Sequence, residues 1–251
     1  MENHQSDQVI GNREAPFESA LARECGTAAH YSAVGSPSLP NYIAATSGST
    51  QRIHDDGSPS KHPVDADNLF RQVRADGGTA RTYAEAMPAP CALQSSGRYA
   101  VKHNPAAYYV GADDRQACTA DDVPLGTLDT GALVTDLAEG TLPTFAFVVP
   151  DLCNDTHDCG VAVGDRWLAA WVARLVADPT YRDGSTALFV VWDEPTPMPF
   201  LAIAPAVHQG ATVSEPVDHY SLLRTTEELL GIDTYLGAAN RASSMRSALG
   251  L

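Results

Sequence analysis

TFAFVVPDLCNDTHDCGVAVGDRWLAAWVARLVADPTYRDGSTALFVVWDE, residues 144–194, holds two short apolar runs with a long amphipathic segment between them. The first run, TFAFVV at 144–149, stops at Pro150 and reads as a strand buried on both faces. Residues 163–177 (VGDRWLAAWVARLVA) repeat apolar side chains at helical spacing. Residues 187–192 (ALFVVW) are the second buried run, and they stop at Asp193 and Glu194. Strand, helix, strand in this order is the pattern of a parallel sheet covered by a crossover helix.

The rest of the chain extends the pattern. Residues 15–24 have helical spacing, with Pro16 near the start and Gly26 just past the end. Residues 68–75, 130–139 and 221–230 predict further helices, and 200–204 another strand. Pro, Gly and Ser clusters at 35–40, 56–64 and 121–126 read as loops, and no internal repeat is present. The expectation is an α/β fold with a largely parallel central sheet flanked by helices, in a single domain over residues 1–251. Parallel strands deliver their following loops to one edge of the sheet, where ligands bind. Asp155, His157 and Asp158 after the first run and Asp193 and Glu194 after the second are therefore expected to converge.

Composition bounds the partners. Lys and Arg number 16 against 31 Asp and Glu, a formal net charge of −15 that opposes unassisted contact with nucleic acid or anionic lipid. An anionic substrate needs local cationic help, which a bound divalent ion supplies. No stretch has the apolar length of a transmembrane segment, and no signal sequence stands at the start. The five cysteines lack the paired spacing of a structural zinc site. Cys153 with Cys159 and Cys91 with Cys118 are candidate disulfides, which leaves Cys25 as an odd thiol.

Six strings in order along the chain carry a resemblance: MEN (1–3), PSLPNYIAATSG (37–48), YAVKHNP (99–105), PDLCNDTHDC (150–159), WDE (192–194) and DHYSLLRTTEELLG (218–231). Together they resemble the phosphoesterase family of bacterial acid phosphatases and phospholipases C, a branch of the alkaline phosphatase superfamily. The resemblance implies a phosphoric ester hydrolase acting on a small phosphorylated substrate, with Ser38 as the nucleophile at a turn leading into a helix that starts near Pro40. A helix N-terminus offers free N–H groups to phosphoryl oxygens, and Asn41 is expected to add an amide donor. Glu2, Asn3, Asp193 and Glu194 match the family's metal positions, with the Ser38 hydroxyl completing the shell. Oxygen donors suit Mg²⁺, Mn²⁺, Ca²⁺ or Zn²⁺ alike. His103, His157 and His219 fall in matching strings as phosphate ligands or as the acid for the leaving alkoxide, and Lys102 adds positive potential.

Two departures from the family pattern stand out. Ser36 occupies the place of a usual histidine, two residues before the nucleophile. Glu2 and Asn3, which the resemblance places after a first core strand, follow only Met1. The expectation is then a sheet without its first strand, an N-terminally truncated chain whose first two ligands hang on an untethered terminus, and an exported protein by resemblance alone. The leading reading is a metal-dependent phosphomonoesterase working through phosphoserine on Ser38. The alternatives are a phospholipase C-type phosphodiesterase and a catalytically silent phosphate-binding domain. A serine hydrolase triad of Ser38, His219 and Asp193 is disfavoured because no GxSxG elbow surrounds Ser38.

Overall fold

The computed structural model describes residues 1–251. Its strands are β1 (Gly26–Ala28), β2 (Tyr31–Ser32), β3 (Ala80–Ala84), β4 (Asp122–Pro124), β5 (Phe145–Val149), β6 (Leu188–Val191), β7 (Phe200–Ile203), β8 (Thr212–Val213) and β9 (Val217–Asp218). Its helices are α1 (Ser6–Val9), α2 (Pro16–Glu24), α3 (Ser38–Ser47), α4 (Leu69–Ala75), α5 (Asp114–Asp121), α6 (Ala132–Glu139), α7 (Val161–Leu175), α8 (Pro179–Arg182), α9 (His219–Leu229) and α10 (Arg246–Leu249).

The α/β class and the parallel pairing read from the sequence are present. β5 runs parallel to β3, which runs parallel to β4 on its other side. The second buried run, β6, belongs to a separate sheet of order β6-β7-β1-β8. There β6 pairs antiparallel with β7, and β7 antiparallel with β1, while β1 and β8 are parallel. The link between β6 and β7, residues 192–199, is shorter than the dozen or so residues a parallel crossover needs, so the chain can only turn back on itself. A two-strand parallel pair, β2 with β9, runs directly into α9.

Helix α7 fixes how the layers meet. Its Val161, Leu168 and Val172 pack with Val190, Trp192 and Phe200 of the second sheet, whereas Trp171 turns to Tyr83, Leu125 and Leu133 beside the first. An amphipathic helix with apolar residues on two flanks is suited to such a bridging place. A third core joins Leu39 and Ile43 of α3 to Leu223 of α9 and Phe70 of α4. Helix α9 begins two residues before the sequence-based start because Asp218 caps it, accepting from the Tyr220 and Ser221 N–H groups.

Both candidate disulfides are formed, Cys91–Cys118 and Cys153–Cys159, and Cys25 is free. Their sequence separations are 27 and 6. Loop-closure entropy makes them worth about 3.5 and about 2 kcal/mol respectively. The shorter bond closes the loop that carries Asp155 and His157. No helix is long and apolar enough to cross a membrane.

Candidate active site

The site forms where the loops after β5 and β6 meet the first residues of the chain. Glu2 N–H donates to the Asp155 carbonyl (2.7 Å), and the Thr156 hydroxyl donates to the Glu2 carbonyl (2.8 Å). The Met1 amino group donates to the Val191 carbonyl (3.0 Å), and Asp193 N–H donates back to the Met1 carbonyl (3.1 Å). The terminus expected to be untethered is thus bound through its backbone to both strand-end loops. Glu2 is completely buried as a result.

Helix α3 brings the nucleophile candidate to Glu2. Ser38 is its first residue, two positions before the sequence-based start, since a proline in the first turn, here Pro40, leaves no helical hydrogen bond unmade. The Ser38 hydroxyl donates to Glu2 Oε2 (3.1 Å). Tyr42 lies one turn further on the same helix face, and its hydroxyl donates to Glu2 Oε1. Asn41, expected to point an amide at phosphoryl oxygens, has that amide engaged elsewhere. Its Nδ2 donates to the Gly35 carbonyl (3.0 Å), and its Oδ1 accepts from Val34 and Gly35 N–H groups (both 3.0 Å). Asn41 therefore shapes the turn that presents Ser38.

Behind Glu2 stands His103, almost fully buried and stacked on the Tyr42 ring at 5.2 Å between centroids. Its Nε2 is 3.3 Å from Glu2 Oε1 and its Nδ1 3.1 Å from Asp155 Oδ2. Burial lowers the His103 pKa against the pull of Asp155. The opposite holds for the acids. Desolvation and then the neighbouring Asp193 raise Glu2 well above the usual carboxylate range. Burial raises Asp193 to about 6, with Glu194 adding repulsion against the N-terminal ammonium.

Buried carboxylates held this close cost free energy unless a cation compensates them. Asp193 Oδ2 is buried with no hydrogen-bond donor, although Asp193 Oδ1 faces the Asn3 N–H at 3.4 Å. Ligand atoms of Glu2, His103 and His157 lie within 4.8 Å of one another. Clustered oxygen and imidazole donors of this kind fit a divalent cation. Of the sequence-based metal set, Glu2, Ser38 and Asp193 come together. Asn3 is exposed and turns only its backbone to Asp193, and Glu194 is half-buried with no hydrogen bond or ion pair.

The other two histidines separate in role. His219 is buried beneath the site, its Nε2 2.9 Å from the Asp193 carbonyl and its Nδ1 3.1 Å from the Tyr31 hydroxyl. Burial lowers it to about 4, and its ring bonds to the backbone of the Asp193 loop. His157 is at the surface end of the site. Lys102 Nζ, which has only protons to give, donates to His157 Nε2 (3.3 Å), so His157 Nδ1 carries the ring proton and donates to Asp158 Oδ1 (2.7 Å). Lys102 Nζ also donates to Asp56 Oδ2 (2.9 Å), and Asp56 Oδ1 accepts the Leu39 N–H at the start of α3 (3.0 Å).

Sequence reasoning missed Tyr42, Tyr31 and Asp56. The i to i+4 relation to Ser38 is a signal that could have found Tyr42, whereas Asp56 reaches the site from a loop whose path no periodicity reports. Ser36, the departure from the family pattern, is exposed ahead of α3.

The profile of the Phosphoesterase family matches residues 1–233. Over 238 residues, 92% of this chain and 75% of the relative, the sequence is 31% identical to a phosphatidylinositol-3-phosphatase of Mycobacterium tuberculosis. It is 29% identical to an Aspergillus fumigatus acid phosphatase over 66% of this chain, and spans 37% of that longer protein. Among solved structures, a protein in the alkaline phosphatase superfamily from Vibrio parahaemolyticus superposes with a TM-score of 0.62 at 14% identity, over 99% of this chain and 69% of that one. Ps i-CgsB superposes with a TM-score of 0.63 at 13% identity, over 99% and 75%. Fold, ordered strings and family profile agree: the chain belongs to the phosphoesterase family and is a phosphoric ester hydrolase built on the alkaline phosphatase superfamily fold.

Proposed function

We propose that the protein is a divalent-metal-dependent phosphomonoesterase of the acid phosphatase type, working in two steps through a phosphoserine on Ser38. The observation that carries this reading is the hydrogen bond from the Ser38 hydroxyl to Glu2 inside a buried acidic cluster at a helix N-terminus. Glu2, Asp193 and the Ser38 oxygen would hold the ion, with His103 beside them. Bound there, it would lower the pKa of the serine hydroxyl and draw charge from a phosphoryl oxygen.

The remaining work falls to the chain's own groups. Glu2, fixed by Tyr42 and His103, accepts the Ser38 proton as the serine oxygen bonds to phosphorus and the bond from phosphorus to the ester oxygen breaks. The departing alkoxide takes a proton from the Lys102–His157 pair. Water then cleaves the phosphoserine, its proton passing to the Lys102–His157 pair as its oxygen bonds to phosphorus. The bond from phosphorus to the Ser38 oxygen breaks, that oxygen takes back the proton held by Glu2, and phosphate is released. The N-terminal turn of α3 and Lys102 face the charge that develops on the phosphoryl oxygens.

Two disulfides suit an oxidising compartment, so an exported protein is the matching location. The test is steady phosphate release from phenyl phosphate in the presence of Mg²⁺, Mn²⁺, Ca²⁺ or Zn²⁺, abolished by Ser38→Ala and by chelator. A phosphoinositide monoester belongs in the same assay, since the mycobacterial relative is named for one. Absence of turnover with every metal and every ester overturns the reading.

A further inference from the structure

Beside the nucleophile lies a cavity of about 360 Å³ that the reaction described above leaves unassigned. Its inner wall is Asp56, Lys102 and His157, the same three groups that border the start of α3. Ser58, Gln94 and Ser95 also line the cavity, together with Ala100, Val101 and Leu152. This volume exceeds what a phosphoryl group fills and falls within the size range of small-ligand sites.

The walls are fixed by their own bonds. The Tyr108 hydroxyl donates to the Gly57 carbonyl (2.9 Å), which holds the segment carrying Asp56 and Ser58. On the other side the Tyr99 hydroxyl donates to the Ala92 carbonyl (2.8 Å), and Val101 N–H donates to Ser95 Oγ (3.0 Å). The 91–100 segment is further anchored by the Cys91–Cys118 bond. An opening held this way is ready for a ligand without a large ordering cost.

Resting on the hydrolase reading of the Ser38 site, we propose that this cavity seats the alcohol portion of the substrate, and that Asp56 selects a soluble monoester whose alcohol is rich in hydroxyls and free of a second anionic charge. The chemistry follows from the wall. Hydroxyl and amide side chains exchange further hydrogen bonds with an alcohol that both donates and accepts, which a hydrocarbon chain cannot do. Asp56 already accepts from Leu39 N–H and Lys102, and a carboxylate has further lone pairs to accept a sugar hydroxyl. The same carboxylate holds the Lys102 ammonium in an ion pair (2.9 Å), so that cation is compensated and draws a second phosphate less strongly. Asp56 is on this account a specificity-determining residue.

The experiment measures binding of fructose 6-phosphate, methyl phosphate and fructose 1,6-bisphosphate by calorimetry to Ser38→Ala protein with Mn²⁺ supplied, alongside kcat/KM of the unaltered enzyme. Binding without turnover separates the two readings. If the unaltered enzyme releases no phosphate, the hydrolase assignment fails while the cavity is still read from the Kd values. Fructose 6-phosphate is expected to bind at least tenfold more tightly than either of the others. Asp56→Asn is expected to narrow the preference over the bisphosphate at least fivefold. Gln94→Trp, which fills the cavity from an exposed position with no hydrogen bond to lose, is expected to narrow the preference over methyl phosphate at least fivefold. Ratios unmoved in both variants overturn the proposal. So does tighter binding of a phosphoinositide in phosphatidylcholine vesicles than of fructose 6-phosphate.

Discussion

Tyr42 shows how a buried site is stabilised by groups that do no chemistry. Its hydroxyl and His103 both face Glu2 Oε1, while Ser38 faces Oε2, so the carboxylate is held from either end. Burial, then repulsion from Glu2, keeps the Tyr42 phenol protonated, which makes it a permanent donor. Tyr42→Phe leaves a buried carboxylate oxygen one donor short, which costs about 1–3 kcal/mol. The variant is expected to unfold at lower urea and to lose about tenfold or more in kcat through a less well-oriented Glu2; unchanged unfolding and kcat would refute the role. The residue types at positions 2, 38, 103, 157 and 193 were legible because oxygen and imidazole donors recur in recognisable strings. The partners of Asn41 and His219 were not legible, since a hydrogen bond to the Gly35 carbonyl or to the Tyr31 hydroxyl depends on where the backbone turns.

Among the elements, the contact of α2 with α7 carries a pH dependence of its own. Glu18 of α2 is completely buried there with no donor to either carboxylate oxygen, and its N–H donates to Asp165 Oδ1 (2.9 Å). Burial first, and repulsion from Asp165 second, raise Glu18 from 4.5 to about 8. A raised carboxyl has the opposite sign from a salt-bridged one. Between its unfolded and folded pKa values the native state keeps a proton that the unfolded chain has released, so stability falls as pH rises from 4.5 through about 8. The slope reaches at most about 1.4 kcal/mol per pH unit. Glu18→Gln, neutral throughout, is expected to unfold near the unaltered protein's urea midpoint at acid pH and at a clearly higher one at alkaline pH. Parallel pH curves for the two proteins would contradict this. The elements were largely readable in advance, α7 and β5 most of all, because their apolar periodicity is strong. Pairing of β6 with β7 instead of β5 was not, because ladder partners are chosen by connection length and by which edge is free.

At the scale of the whole molecule, the two sheets present edge strands, β5 and β6, whose following loops are joined through residues 1–3. Glu2, Asp155 and Asp193 gather at that joint, so an ion binding there compensates mutual repulsion and ties the two halves together. A divalent cation at about a hundred times its Kd is expected to stabilise the fold by about 2.7 kcal/mol. The check is a rise in Tm on adding Mn²⁺, its reversal by chelator, and a much smaller rise in Asp193→Asn; a Tm indifferent to metal would exclude an ion at this joint. By itself the sequence determined the α/β class, the family and the chemical types present at the site, because periodicity and short ordered strings are local properties of a chain. The tertiary structure alone decided that Tyr42 bonds to Glu2 and Asp56 to the start of α3, that Asn3 turns its backbone to Asp193 while Glu194 makes no hydrogen bond or ion pair, and that the chain's first residues are held fast. Those facts depend on which backbone groups find partners across long sequence separations, and no local pattern encodes that.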